Sequence, residues 1–176
     1  KVLVIYKDTI HESIAGIVAG RVREAFNVPT IILTKGKETP KGSARSIKEY
    51  NLFEELIKCK ELLEKFGGHP MAAGLSIKEE NIEKLRQKLN FICTLTDEDI
   101  IPKIRIDQRM QLSKINYEII DELEQLEPFG KGNSSPLLAE KNIPILKIDI
   151  LGKNANTIKI KCLIPGENNT IDGIFF

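Results

Sequence analysis

Residues 2–34 decide how the chain begins to fold, and they read VLVIYKDTIHESIAGIVAGRVREAFNVPTIILT. The apolar runs Val2–Tyr6 and Thr30–Thr34 predict two strands. Between them, Thr9 and Glu12 have the spacing of a capping box, which predicts the start of a helix. A strand, a helix and a strand of this length form a crossover unit, so we expect the two strands to pair in parallel. The apolar stripe of the helix would be Ile14, Ile17, Val18, Val22 and Ala25.

The next segment predicts a second helix that ends at paired glycines. Asn51 and Glu54 are spaced as a helix start, and apolar residues at helical spacing continue as far as Phe66. Glycine is typical of a helix end, so we expect His69 to lie just beyond a helix terminus. A strand over 72–77 and a third helix over 79–92 complete an α/β domain with a mixed sheet, assigned to residues 1–95.

Residues 96–176 have a different pattern and are predicted to form a second domain. An acidic stretch without periodicity ends at Pro102 and marks the boundary. Beyond it we expect a strand over 103–112, a helix over 113–126 and three extended segments over 143–151, 156–164 and 170–176. Antiparallel strands with one early helix predict a β-rich, OB-fold-like barrel, which would be incomplete because the sequence stops short of a full set of strands.

The composition excludes several classes of protein. It is 41% hydrophobic and 29% charged, as in ordinary soluble domains, and its apolar runs are far too short to span a membrane, so we expect a cytoplasmic protein with no membrane partner. Three cysteines without close spacing favour a reducing compartment over a metal site. Because residue 1 is not Met and already precedes a strand, we interpret the chain as an excised fragment.

The net charge of +1 argues against binding nucleic acid through bulk electrostatics, but the charges are unevenly distributed. Acidic residues dominate residues 97–127, and lysines dominate residues 131–161. A lysine-rich strand surface could follow a phosphate backbone, or it could serve solubility and edge protection. These lysines are Lys131, Lys141, Lys147, Lys153, Lys159 and Lys161.

Three segments carry the candidate site residues. KGSARS (41–46) is predicted to form a small-residue loop that places Arg45 between Ser43 and Ser46, and an arginine fork can hold a phosphate through two parallel hydrogen bonds. FGGHPMAAGL (66–75) places His69 after two glycines, which expose backbone N–H groups. The third segment is HESIAGIVAGR (11–21). Taken singly, each could be a solvated turn or an exposed side chain.

Taken together, the three segments resemble the DHH-associated domain of RecJ-type single-strand-specific exonucleases, in the DHH phosphoesterase superfamily. The resemblance implies that Arg45, Ser43 and Ser46 bind a phosphate of the single strand. It implies further that Gly67, Gly68 and His69 bind the phosphate nearest the scissile bond. His11 is a weaker candidate for the same cleft, since a solvated histidine is an equal alternative.

The resemblance extends into the second domain through LEPFGKGN (126–133), which is similar to the linker that leads into the OB-fold domain of these enzymes. It implies a 5′-to-3′ exonuclease in recombination and repair, with single-stranded DNA and other repair proteins as partners. The family's two Mn²⁺ or Mg²⁺ ions lie on a separate, preceding domain that contains an Asp-His-His triplet. This chain has no such triplet, so we expect no catalytic residue, no metal site and no hydrolysis from it alone.

Two other functions remain open at this point. One is a phosphodiesterase of the same superfamily that acts on oligoribonucleotides or cyclic dinucleotides; its members generally lack the barrel that residues 103–176 predict. The other is a non-catalytic nucleic-acid-binding module, which usually needs aromatic stacking platforms. After Pro102 the aromatic residues are few: Tyr117, Phe129, Phe175 and Phe176.

Overall fold

The computed structural model describes residues 1–176, which form two compact units, Lys1–Lys103 and Ile104–Phe176. None of the helices combines the length and the apolar character that crossing a membrane requires. The α/β domain with a mixed sheet and the β-rich second domain predicted from the sequence are both present.

The first unit is built on a five-stranded sheet in the order β1-β2-β3-β5-β4. The predicted crossover is confirmed, because β1 and β2 pair in parallel; the remaining pairs are antiparallel. The strands are β1 (Leu3–Tyr6), β2 (Thr30–Thr34), β3 (Lys41–Arg45), β4 (Leu63–His69) and β5 (Ala72–Ile77). The helices are α1 (Ala15–Phe26), α2 (Leu52–Ile57) and α3 (Ile82–Ile92).

The two faces of this sheet are covered unequally. Ile31 and its same-face neighbours join the apolar residues of α2 and α3 in the main core. Ile32, which points to the opposite face, packs with Ala15 and Ala19 of α1 in a smaller cluster that Ile10 and Val18 border. On that second face β5 and β4 carry small or polar residues, and this part of the sheet is open.

The predicted small-residue loop at residues 41–46 is wrong, since Lys41–Arg45 is strand β3. The small residues serve close packing inside the sheet. A side-chain carbon built onto Gly42 would lie 2.7 Å from Leu33 Cδ2 and 3.1 Å from Leu75 Cγ. Glycine at 42 therefore reflects the tight fit of neighbouring leucines on the core face.

The predicted extent of the second helix is also wrong. Asn51 does cap α2, accepting a hydrogen bond from Glu54 N, but α2 ends at Ile57, and a 3₁₀ turn over Lys60–Leu62 leads into β4. The register of β4 shifts between Leu63 and Lys65, so that Leu63 and Phe66 both meet the core face although they are three residues apart. The β-bulge thus imitates helical spacing, and His69 ends a strand rather than following a helix.

The capping box predicted from Thr9 and Glu12 is absent. His11 starts a 3₁₀ turn over Glu12–Ile14 by accepting a hydrogen bond from Ser13 N, and α1 begins only afterwards, at Ala15. The imidazole takes the place that the threonine hydroxyl was expected to fill.

The second unit contains a three-stranded antiparallel sheet in the order β10-β9-β8. The expected long strand over 103–112 is reduced to β6 (Gln108–Arg109), which pairs in parallel with β7 (Leu138–Ala139). The three later extended segments are confirmed as β8 (Ile145–Leu151), β9 (Thr157–Leu163) and β10 (Thr170–Phe175). The helix is α4 (Tyr117–Glu124).

Candidate functional site

The candidate site lies on the open face of the first sheet, where β3, β5 and β4 place residues in three parallel rows. Residues directly opposite each other on neighbouring strands share a face, so the register defines the rows. The two outer rows contain basic side chains and a histidine. The central row contains one serine and two glycines. The rows are Lys41, Ser76 and Lys65; Ser43, Gly74 and Gly67; and Arg45, Ala72 and His69.

The central row forms a floor on which the only side chain is the short one of Ser43. A carbon built onto Gly67 meets nothing within 4 Å, and one built onto Gly74 meets only Gly42 O, at 3.9 Å. Both glycines are exposed. A ligand could therefore approach the sheet backbone here more closely than at any residue with a side chain. We call Ser43, Gly74 and Gly67 the glycine floor.

Arg45 stands at one edge of the glycine floor and is available to an anion. Its Nη1 donates to Ala44 O at 2.9 Å, and it forms no ion pair. The side chain is half-buried, which holds the guanidinium in place and limits its hydration. A guanidinium in this condition can still offer several N–H groups to a phosphate.

His69 lies in the same row as Arg45, with Ala72 between them, so the two Cα atoms are separated by two strand spacings, or about 10 Å. The histidine is exposed, and its Nδ1 accepts a long hydrogen bond from Met71 N at 3.4 Å. Its Nε2 makes no hydrogen bond within the chain. The structure brings the two principal residues predicted from the sequence to one edge of one surface.

A cavity of about 460 Å³ adjoins the Ser43 end of the glycine floor, and His11, Ser43 and Gly74 all line it. Glu12 borders the same cavity and pairs with Lys41, with 2.9 Å between Oε2 and Nζ. The hydrogen bond from Lys41, followed by its positive charge, lowers the pKa of the Glu12 carboxyl. Lys41 is therefore matched by an acid, whereas Lys65 and Arg45 are not.

Two of the predicted site residues, Ser46 and Gly68, have a structural role instead. The Ser46 hydroxyl is buried and donates to Tyr50 O at 2.7 Å, so it is turned away from the open face. Gly68 has a φ of 154°, and a carbon built on it would lie 2.3 Å from Ala72 O. Residue 68 must be glycine because β5 approaches it closely, whereas no neighbouring atom requires a glycine at 67.

The sequence reasoning did not single out Lys41, Lys65 or Gly74 as site residues. They join the site only through strand pairing: Lys65 comes opposite Ser76, and Ser76 opposite Lys41. The usable signal was Gly74 itself, since an isolated glycine inside a strand indicates a close approach of another backbone or a ligand.

A metal ion does not fit the residues of this chain. No group of three His, Cys, Asp or Glu side chains comes together closely enough to hold one. The unpaired basic side chains of the open face, Arg45 and Lys65, suit an anion instead.

The lysine-rich sheet of the second unit is largely self-neutralised. Lys147 pairs with Asp149 and Lys159 with Asp172, each at 2.8 Å between nitrogen and oxygen. The hydrogen bond between Lys159 and Asp172 raises the pKa of the lysine and lowers the pKa of the aspartate. Of the three lysines on these strands only Lys161 forms no ion pair, so the sheet offers little unmatched positive charge to a phosphate backbone.

Comparison with known families and proteins adds to this geometry. The family described as "DHHA1 domain" matches residues 1–94, and the family described as "RecJ OB domain" matches residues 106–176. The chain is 38% identical over 178 residues to the single-stranded-DNA-specific exonuclease RecJ of Bacillus subtilis (strain 168), a match that covers 99% of the chain and 22% of that protein. It is 28% identical to the RecJ of Escherichia coli (strain K12), over 99% of the chain and 31% of that protein.

Solved structures support the fold. RecJ from Thermus thermophilus in complex with Mn²⁺ has a TM-score of 0.78 at 22% identity, covering 98% of this chain and 27% of that one. Its complex with Mg²⁺ has a TM-score of 0.75 at 24% identity, covering 94% and 26%. The chain thus spans between about a fifth and a third of the length of the relatives it matches. By the match over residues 1–94 and the domain order that follows it, the chain belongs to the DHHA1 domain family and carries the DHHA1 and OB domains of RecJ-type exonucleases.

Proposed function

We propose that this chain is the substrate-binding, C-terminal portion of a single-stranded-DNA-specific 5′-to-3′ exonuclease that acts in recombination and repair, with other repair proteins as further partners. The observation that carries the proposal is the glycine floor between Arg45 and His69 on one side and Lys41 and Lys65 on the other. A strip that lets a chain lie against the sheet backbone, with cations along both edges, suits a flexible polyanion.

The width of this strip favours a single strand over a duplex. Its two edge rows are four residues apart along each strand, so the strip is about 13 Å wide, and the three strands that form it make it about 10 Å long. A duplex would need contacts on a broader, more basic surface, and the second unit pairs two of its strand lysines with aspartates. The RecJ OB domain also distinguishes this proposal from a phosphodiesterase acting on cyclic dinucleotides, for which no barrel is expected.

In this proposal the hydrolytic metals, Mn²⁺ or Mg²⁺, are held by residues outside this chain, and the chain itself hydrolyses no DNA. What supports it is the lack of any convergent group of ligands here. Arg45 would hold a phosphate in place by a bidentate contact, and His69 would donate from Nε2 to the phosphate nearest the scissile bond, where charge develops. The cytoplasmic location stays a prediction.

The test is binding of the 176-residue chain to labelled single-stranded oligothymidylate by fluorescence anisotropy at several salt concentrations. We expect affinity to fall with salt, with a logarithmic slope of about −0.7 for each phosphate contacted, and to fall by about 10- to 100-fold in Arg45→Ala. Lys84→Ala is the matched control, because Lys84 lies on α3, on the other side of the sheet.

Three outcomes would contradict the proposal. Affinity that did not respond to salt would show that phosphate contacts do not contribute to binding. A preference for a duplex of the same length would refute the proposal that the chain binds single-stranded DNA. Release of nucleotides by the pure chain with Mn²⁺ or Mg²⁺ would show that catalysis does not need residues outside it.

A further inference from the structure

We propose that Gly16 is a positioning residue for Arg45: its missing side chain makes room for the guanidinium to lie against the start of α1 with its free N–H groups directed at the glycine floor. The inference rests on the proposed function, because it concerns the phosphate contact of Arg45. Gly16 itself would touch no substrate.

The distances define how tight the fit is. A carbon built onto Gly16 would lie 2.9 Å from Arg45 Nη2 and 3.7 Å from both Arg45 Cζ and Ser43 Oγ. The first distance is shorter than any van der Waals contact, so a methyl group and the observed guanidinium cannot both be present. On its other side the guanidinium is held by the hydrogen bond from Nη1 to Ala44 O, at 2.9 Å. An alanine at 16 must displace the guanidinium, break that bond, or both.

Gly16 has no other reason to be glycine. It is the second residue of α1 and does not have a positive φ, so its backbone is open to any residue. Alanine is a much better helix former than glycine. The atom in the way is the far end of a flexible side chain, so the fold itself can accept a methyl group there.

Gly20 provides a matched control on the same helix. It lies one turn further along α1, and a carbon built on it meets nothing within 4 Å. Gly16→Ala and Gly20→Ala therefore make the same chemical change in the same helix, and only the first one reaches Arg45.

The experiment compares Gly16→Ala, Gly20→Ala, Arg45→Ala and the double variant Gly16→Ala/Arg45→Ala in the 176-residue chain. Each is measured by thermal denaturation and by anisotropy with labelled oligothymidylate. We expect both glycine variants to melt at or above the wild-type temperature, because each gains a helix former. Gly16→Ala should bind at least about fivefold more weakly, since a displaced fork loses its two parallel contacts. Gly20→Ala should bind like the wild type.

The double variant shows whether the effect passes through Arg45. It should bind like Arg45→Ala within about twofold, because the methyl group has no guanidinium left to displace. Gly16→Ala should also reduce the salt slope by about 0.7, as the loss of one phosphate contact would.

The possible failures are distinguishable. Wild-type affinity in Gly16→Ala, with weak binding in Arg45→Ala, would overturn this inference and leave the proposed function intact. Wild-type affinity in Arg45→Ala would overturn the phosphate role of Arg45 and this inference with it. A clear loss of thermal stability in Gly16→Ala, or a further loss of binding in the double variant, would show that Gly16 acts on the fold or the ligand by another route.

Discussion

The two adjacent glycines of β4 should respond to the same substitution in opposite ways. In Gly67→Ala the new methyl group enters open space, because nothing lies within 4 Å of that position. Alanine restricts the unfolded chain more than glycine does, so we expect the free energy of unfolding to stay constant or rise by up to about 1 kcal/mol. Binding of single-stranded DNA should weaken, since the methyl group stands where the strand would meet the glycine floor.

In Gly68→Ala the methyl group has no space. It would lie 2.3 Å from Ala72 O and 2.6 Å from Ala73 Cα, both of them backbone atoms of the paired strand β5. Gly68 also has a φ of 154°, which only glycine adopts readily, at a cost of about 1–3 kcal/mol for another residue. With the pairing that must shift, we expect a loss of about 2–4 kcal/mol. For a unit of about 100 residues this is a fall in melting temperature of about 10–20 °C.

The assay is thermal and urea denaturation followed by circular dichroism, with anisotropy measured well below each melting temperature. Gly74→Ala serves as the partner of Gly67→Ala, since Gly74 occupies the same row and is also unobstructed. If Gly67→Ala lost as much stability as Gly68→Ala, or if Gly68→Ala were neutral, the division between a binding glycine and a structural glycine would be refuted.

Three further substitutions test other parts of the structure. Ser46→Ala should lose about 1–3 kcal/mol in urea denaturation, because it leaves the carbonyl of Tyr50 without its donor, and should bind DNA normally while folded; weakened binding with full stability would contradict this. Burial raises the pKa of the Cys59 thiol from 9.0 to about 11, so the unfolded chain releases this proton first and stability should fall as pH rises from about 9 to about 11. The urea midpoint of Cys59→Ala should be less sensitive over that range, and equal sensitivity would assign the loss to other groups. In an intact RecJ-type enzyme that contains this sequence, His69→Ala should lower turnover more than binding in steady-state exonuclease assays, and unchanged turnover would make His69 a surface residue.

The parts of the fold that were predictable depend on local patterns. The crossover from β1 through α1 to β2 follows from the apolar runs, and Asn51 does cap α2. The apolar stripe predicted for α1 was wrong, because Ile14 and Ile17 are exposed and the small Ala15 and Ala19 face the sheet. The errors arose where tertiary packing produced the pattern of another element. The bulge at Leu63 and Lys65 reproduced the spacing of a helix, and the small residues of β3, which fit between leucines, resembled a loop.

The site was predictable in its main residues and not in its arrangement. Arg45 and His69 could be selected by residue type, but their common edge depends on the register of β3, β5 and β4, which the local sequence does not determine. The same register brings Lys65 into the site and turns the Ser46 hydroxyl into the interior. Sequence thus indicates which side chains can hold an anion, and pairing decides which of them do so together.

The position of β4 at the end of the sheet order has a mechanical consequence. Ser43 and Gly74 of the glycine floor lie on β3 and β5, which are hydrogen-bonded on both sides, whereas Gly67 lies on β4, which is hydrogen-bonded on one side only. The amides of β4 should therefore exchange with solvent faster than those of β5. Arg45 lies on a central strand of the sheet, whereas His69 lies on an edge strand, which opens more easily. In the proposed function, the phosphate at Arg45 would be held in a fixed position, and the phosphate at His69 would be held by a strand that can move slightly.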